Sequence, residues 1–159
     1  MSFPYTPQQI HEMVKAAKVL RRPEVLTPGE PIPFEKYGDQ GKRIDLPLDL
    51  VDGPVLVDLR FHVRAPVFDN PETFEAALIL AGQRVRGIGW HATGLKKFYK
   101  QAIPKGWHQN VIDPNLPPGH PDQNRHLALD AFHPTDLADI FTKAANLWHI
   151  DLQFEKGLL

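Results

Sequence analysis

Between Ile44 and Val63 the chain twice settles into a strict period of two. Ile44, Leu46, Leu48 and Leu50 alternate with Asp45, Pro47, Asp49 and Val51. Val55, Val57, Leu59, Phe61 and Val63 then alternate with Asp58, Arg60, His62 and Arg64. A period of two puts one apolar row on a core and one polar row in water, as half-buried antiparallel strands require. Asp52-Gly53 between the two runs is a hairpin-turn dipeptide. Pro47 has no N–H for a ladder, which argues for an edge position. The middle of the chain is thus committed to a sheet, and the rest must cover it.

The flanking segments supply more strands and some helices. Residues 73–81 are apolar on both faces from Ala77 to Ala81, as a central strand is, and a tight turn near Gly82-Gln83 leads to a returning strand over 84–91. Further strands are expected over 125–131 and 150–154. Thr6, Pro7 and Gln9 form a helix start with a capping box, and the stripe Ile10, Met13, Val14, Ala17, Leu20 predicts a helix over 6–22. Leu95, Phe98, Tyr99, Ala102 and Ile103 fit a short central helix, and Leu137, Ile140, Phe141, Ala144, Leu147 and Trp148 a C-terminal one. The proline-rich stretch 23–41 reads as a connecting segment, and 105–124 as a loop. The fold class expected is α+β: an antiparallel sheet of about five to six strands, with the N-terminal, central and C-terminal helices packed on one face. The 159 residues make one domain, with 42–159 as its sheet-containing core.

Composition excludes several chemistries. The chain has no cysteine, so it has no disulfide framework, no thiolate nucleophile and no cysteine-ligated metal. No apolar run approaches the roughly 18–20 residues of a membrane span, and residues 1–7 lack a signal-peptide pattern, so a cytoplasmic protein without a membrane partner is expected. Sixteen prolines imply many ordered loops. The net charge of −1 conceals an uneven distribution. Residues 76–112 carry Arg84, Arg86, Lys96, Lys97, Lys100 and Lys105 and no acidic residue, while the remainder is acidic. A basic centre of this kind suits phosphate or an acidic partner, or is simply a solvated face.

Without cysteine, histidine is the residue left to do acid–base work near neutral pH. Five of the eight histidines lie between His91 and His133, and each of the three tryptophans precedes a histidine: Trp90-His91, Trp107-His108 and Trp148-His149. In the strand 84–91, Val85, Gly87, Gly89 and His91 share one face and Arg84, Arg86, Ile88 and Trp90 the other, and the two glycines leave a strip without side chains that marks close approach of another group or a ligand groove. Two imidazoles beside a cation suffice for phosphodiester cleavage when a 2′-hydroxyl is the nucleophile. His91 and His126 are the expected acid and base. Arg125 and Lys97 would hold phosphate, with His108 and Asn110 positioning. The wider phosphate or partner surface is Arg84, Arg86, Lys96, Lys97, Lys100, Lys105 and Asn110. A metal set drawn from His108, His120, His126, Asp113 and Asp122 is a rival, but its spacing matches no metal motif. No Walker loop, GxGxxG or GxSxG is present, and no cofactor is expected.

A leading helix followed by a meander with scattered His and Arg resembles the barnase–EndoU–colicin–RelE group of small RNases. The stretch from Arg84 to Leu129 is similar to small bacterial toxin families that place a tryptophan, an asparagine and His-Pro elements before a final histidine-bearing strand. The doubled His-His pairs of those families are missing here, and no catalytic residue carries over from either group. The resemblance implies a toxin-like nuclease. Three readings therefore stand: a small ribonuclease, a non-catalytic module whose residues 76–112 bind an acidic protein or RNA, and a His/Asp metal-dependent hydrolase. A homodimer is compatible with all three.

Overall fold

The computed structural model describes residues 3–92 and 104–153 in full, together with the backbone of Lys97–Phe98 and Gln101–Ala102. It is built on one broad sheet. The strands, in chain order, are β1 (Lys18–Leu20), β2 (Glu35–Tyr37), β3 (Gly41–Leu50), β4 (Arg60–Ala65), β5 (Glu75–Leu80), β6 (Gln83–His91), β7 (Lys97–Phe98), β8 (Gln101–Ala102), β9 (Gly106–Ile112), β10 (Asn124–Ala128) and β11 (Ile150–Asp151). Nine of them form the sheet β10-β9-β6-β5-β4-β3-β1-β11, with β2 also on β3, and β7 and β8 pair separately. The sheet is mixed, because β1 and β11 run parallel while the other pairs are antiparallel. Two α-helices are described, α1 (Pro7–Lys15) and α2 (Leu137–Leu147), one towards each end of the chain.

This corrects the expected α+β fold with three helices. The proposed central helix is absent where its backbone is described: Lys97 pairs with Ala102 and Phe98 with Gln101. A five-residue apolar spacing in so short a segment does not discriminate helix from hairpin. The N-terminal helix is also shorter than expected. Its capping box is present, with Thr6 Oγ1 accepting from Gln9 N and Gln9 Oε1 from Thr6 N. The backbone turns extended at Ala16, because Lys18 is buried there. Its ammonium donates to the carbonyls of Val14, Ala16 and Trp148, at 2.9, 2.8 and 2.6 Å. Burial pushes its pKa down to about 7, while three carbonyl acceptors match the three donors of the charged form. Residues 105–124 are not all loop either, since Gly106–Ile112 is β9, an internal strand.

Register explains two further differences. Pro47 lies opposite Arg60, whereas a two-residue turn at Asp52-Gly53 would set it opposite Asp58. The slip is two residues, so every side chain keeps its face. Val55 and Val57 are left exposed in the connection. β3 is internal, and Pro47 lies between the stretches paired by β2 (Gly41 to Arg43) and β1 (Leu48 to Leu50), its carbonyl accepting from Arg21 N at 3.0 Å.

One face of the sheet carries the core. Ile44, Leu46 and Leu48 of β3, Phe61 and Val63 of β4, and Ala76, Leu78 and Leu80 of β5 are buried against α1 and α2. The Phe61 ring meets Phe141 at 5.2 Å and Trp148 edge-on at 6.1 Å. Each such ring contributes roughly 1.5–3 kcal/mol through burial. The opposite face is polar and carries the candidate site. Among the described residues, no helix is long and apolar enough to cross a membrane.

Candidate functional site

The site begins with a bulge. After the turn Ala81-Gly82, whose φ values of 50° and 79° suit the tight hairpin turn of twisted strands, the β5–β6 register shifts between Leu78 and Ile79. Leu78 opposes Arg86 and Ile79 opposes Arg84, so Val85 is the extra residue. Alternation alone would give Arg84 and Arg86 one face. The bulge separates them, sending Arg84 to the polar face and Arg86 to the core side.

Arg84 then lies over the glycine strip. A Cβ on Gly87 would stand 2.5 Å from its Nη2. The next glycine is covered by an imidazole, with His108 Cε1 and Nε2 3.7 and 3.8 Å from a Cβ built on Gly89. The strip is thus covered by side chains, Arg84 and Asn110 at Gly87 and His108 at Gly89, and not by backbone.

Two Trp-His doublets turn out to be partners. Trp90 on β6 lies directly opposite Trp107 on β9, and His108 opposite Gly89. Strand alternation therefore puts both tryptophans on one side and both histidines on the other. The His91 and His108 rings stack at 4.7 Å with an interplanar angle of 31°. On β10, His126 opposes Asn110, and its ring centroid is 5.4 Å from that of His108. The third tryptophan supports the same strand from below: Trp148 Nε1 donates to Gln109 Oε1 at 2.9 Å. Trp107 packs on Phe132 at 5.6 Å.

A cleft of about 460 Å³ opens beside this row, and Arg84, His91, His108, Asn110, Thr73 and Glu75 line it. His108 is only 3% exposed. Burial, with the neighbouring His91 and His126, pushes its pKa down to about 4 against a weaker opposing contribution from the Gly106 backbone. Burial also lowers the pKa of His126, with His91 adding to the effect. Both rings are therefore neutral at neutral pH. Among the described residues, His108 Nδ1, Asn110 Oδ1 and Asn124 Oδ1 are buried without a hydrogen-bond partner. Buried polar atoms are seldom left so, and water or a ligand is the usual partner.

The expected site residues divide. His91, His108, His126, Asn110 and Arg84 come together. Arg125 does not, because alternation on β10 turns it to the face opposite His126, where it shares a second cleft with Arg86. Lys105 is exposed just before β9. Lys96 and Lys100 lie outside the described residues, and Lys97 is described only as backbone. The basic run of 76–112 is thus not one patch. Of the rival metal set, His120 Nδ1 accepts from Asp122 N at 3.1 Å, and no group of three or more His, Cys, Asp or Glu among the described residues is arranged to hold a metal.

Sequence reasoning missed Asn124, Thr73 and Glu75. Thr73 Oγ1 donates to the carbonyls of Val67 and Asn70, and Glu75 accepts from Arg64 at 2.9 Å. Asn124 was legible in principle, being two residues before His126 on the same strand face. Comparison with known proteins adds no relative: no protein-family model, curated protein or solved structure matches the chain.

Proposed function

We propose that the chain is a small ribonuclease, a metal-independent phosphodiesterase whose acid–base groups are imidazoles on the polar face of the sheet. The observation that carries this reading is the row of three histidines across β6, β9 and β10, beside a cleft that holds Arg84 and Asn110. The chemistry needs only such parts. One imidazole takes the proton of the 2′-hydroxyl as its oxygen attacks phosphorus. The bond from phosphorus to the 5′-oxygen breaks, and a second imidazole protonates that leaving oxygen. A 2′,3′-cyclic phosphate and a 5′-hydroxyl result. A guanidinium stabilises the charge gathered on the phosphoryl oxygens.

The cleft refines the roles read from sequence. His91 and His108 line it and act on substrate, with His108, held neutral, as the base. His126 packs against His108 and positions it. Arg84 takes the phosphate role in place of Arg125, and Asn110 orients the substrate. RNA is the partner, and the cytoplasm is where it is met.

The test is to incubate the purified full chain with single-stranded RNA, with the same RNA methylated at its 2′-oxygens, and with DNA, all with chelator. Cleavage of the unmodified RNA alone, leaving cyclic phosphate ends, is the expected result. His91→Ala is expected to lower the rate by about 10²–10⁴-fold, the usual contribution of a general acid or base. RNA left intact by the wild-type chain, or cut equally by His91→Ala, sinks the proposal. RNA bound but never cut returns the site to the non-catalytic module.

A further inference from the structure

On the other side of the sheet, Arg86 is buried in a way that nothing in the ribonuclease reading uses. It is 7% exposed. Its described hydrogen bond runs from Nη1 to the carbonyl of Val85 at 2.8 Å. Among the described residues it forms no ion pair. A guanidinium does not give up its proton in a protein, and an uncompensated buried charge is strongly destabilising. A second cation makes matters worse. Val111 lies opposite both Arg86 and Arg125, so the two arginines stand in one row, two strand spacings or about 9.6 Å apart. The proximity of Arg125 and, above all, burial weaken the hold of Arg86 on its proton.

Both guanidinium groups line a cleft of about 390 Å³ between the sheet and α1. Its other walls include His11, Asp113 and Asp122. Asp113 is already engaged, accepting from the backbone and side-chain nitrogens of Asn115. A planar five-donor group buried with one acceptor has donors to spare for an oxyanion. Two such groups of like charge facing one cleft become mutually favourable once an anion lies between them.

We propose that this cleft is a second site, which binds the phosphate group of a small ligand between Arg86 and Arg125. It lies on the opposite face of the sheet from His91 and His108, so ligand bound here does not compete with RNA there. Asp122 in the same wall would accept a hydrogen bond from a hydroxyl carried by the same ligand. A phosphate ester of a polyol or nucleoside therefore fits better than free phosphate.

The experiment is a titration of the full chain with inorganic phosphate, a nucleoside monophosphate and acetate, following the arginine side-chain N–H resonances by NMR and thermal unfolding in parallel. Saturable shifts with both phosphates, tighter for the nucleoside monophosphate, are expected, and none with acetate. In Arg86→Met the apparent affinity should fall by about tenfold or more, the usual worth of a charged hydrogen bond. That variant should unfold no earlier than the wild-type chain, because an apolar isostere replaces a charge without a partner. Arg125→Gln should weaken binding while leaving the buried site intact. His91→Ala should keep the response whether or not the ribonuclease proposal survives. The inference fails if neither phosphate gives a saturable response, if acetate does as well, if Arg86→Met and Arg125→Gln respond as the wild type does, or if the response is lost only in His91→Ala.

Discussion

The polar face of the sheet has two halves, built from the same residue types and left in opposite electrostatic states. On β3, β4 and β5 two arginines are paired with carboxylates. Arg60 Nε reaches Asp45 at 2.7 Å and Arg64 reaches Glu75 at 2.9 Å, while His62, kept neutral chiefly by burial, stands 3.9 Å from Asp45. On β6, β9 and β10 the polar groups have no carboxylate among them. His108 and Asn110 keep buried atoms without partners, and Arg84 spans a glycine instead of an acid. A surface that satisfies itself has little hydrogen-bonding capacity left to offer a ligand. One that does not is held in place by what lies beneath it, here Trp148 on Gln109 and Trp107 on Phe132. The proposed function therefore falls to the second half, although both present histidine and arginine.

The largest contrast should be between histidines. His108→Gln should reduce RNA cleavage by about 10²–10⁴-fold, while His62→Gln should leave it unchanged. Equal losses in the two variants would erase the distinction between the halves.

Acid should separate them next. His108 titrates at about 4 in the folded chain, against 6.5 for an ordinary histidine. Between those values the unfolded chain takes up a proton that the folded chain refuses. Stability is thus full above pH 6.5, declines as the pH falls, and levels off below 4. The loss amounts to about 3 kcal/mol. Urea unfolding across pH 4–7 measures it, and in His108→Gln the slope should shrink to the part that His62 and His126 contribute, since burial lowers their pKa values too.

A smaller effect comes from the glycine strip. Gly87→Ala would drive its Cβ into the Arg84 guanidinium, which must swing away, and should cut RNA cleavage roughly tenfold or more as an electrostatic stabiliser is displaced. Gly89→Ala meets only ordinary contact with His108 and should stay within about twofold, less than the worth of one hydrogen bond. The reverse order would mean that Arg84 has no part in the site.

The least effect belongs to the paired half. Arg60→Ala removes a partly exposed ion pair, and chemical denaturation should register a loss of about 1 kcal/mol or less, with cleavage unaffected.

How far the site was legible follows from particular residues. Alternation in 84–91 correctly set Gly87, Gly89 and His91 on one face. It misplaced Arg84, because a bulge is a defect of pairing and depends on where β5 lies. Residues 106–112 also alternate, with Trp107, Gln109 and Val111 against His108, Asn110 and Ile112. Their amides and neighbouring prolines masked a strand that only burial between β6 and β10 stabilises. Lys18 fell inside the helix expected over 6–22, and nothing local shows that its ammonium would join the carbonyls of Val14 and Ala16 to that of the distant Trp148. Residues 94–103 fitted a helix by spacing, and pairing of Lys97–Phe98 with Gln101–Ala102 decided otherwise.

By itself the sequence determined the period-two strands of the middle, the capping box at Thr6 and the amphipathic C-terminal helix. These follow from side-chain order and backbone preference within a few residues. The tertiary structure alone decided the sheet's nine-strand extent, the gathering of His91, His108 and His126, and the division of Arg84 from Arg86 and Arg125. Those depend on register between strands far apart in the chain, and a shift of one residue in register moves a side chain from one face to the other.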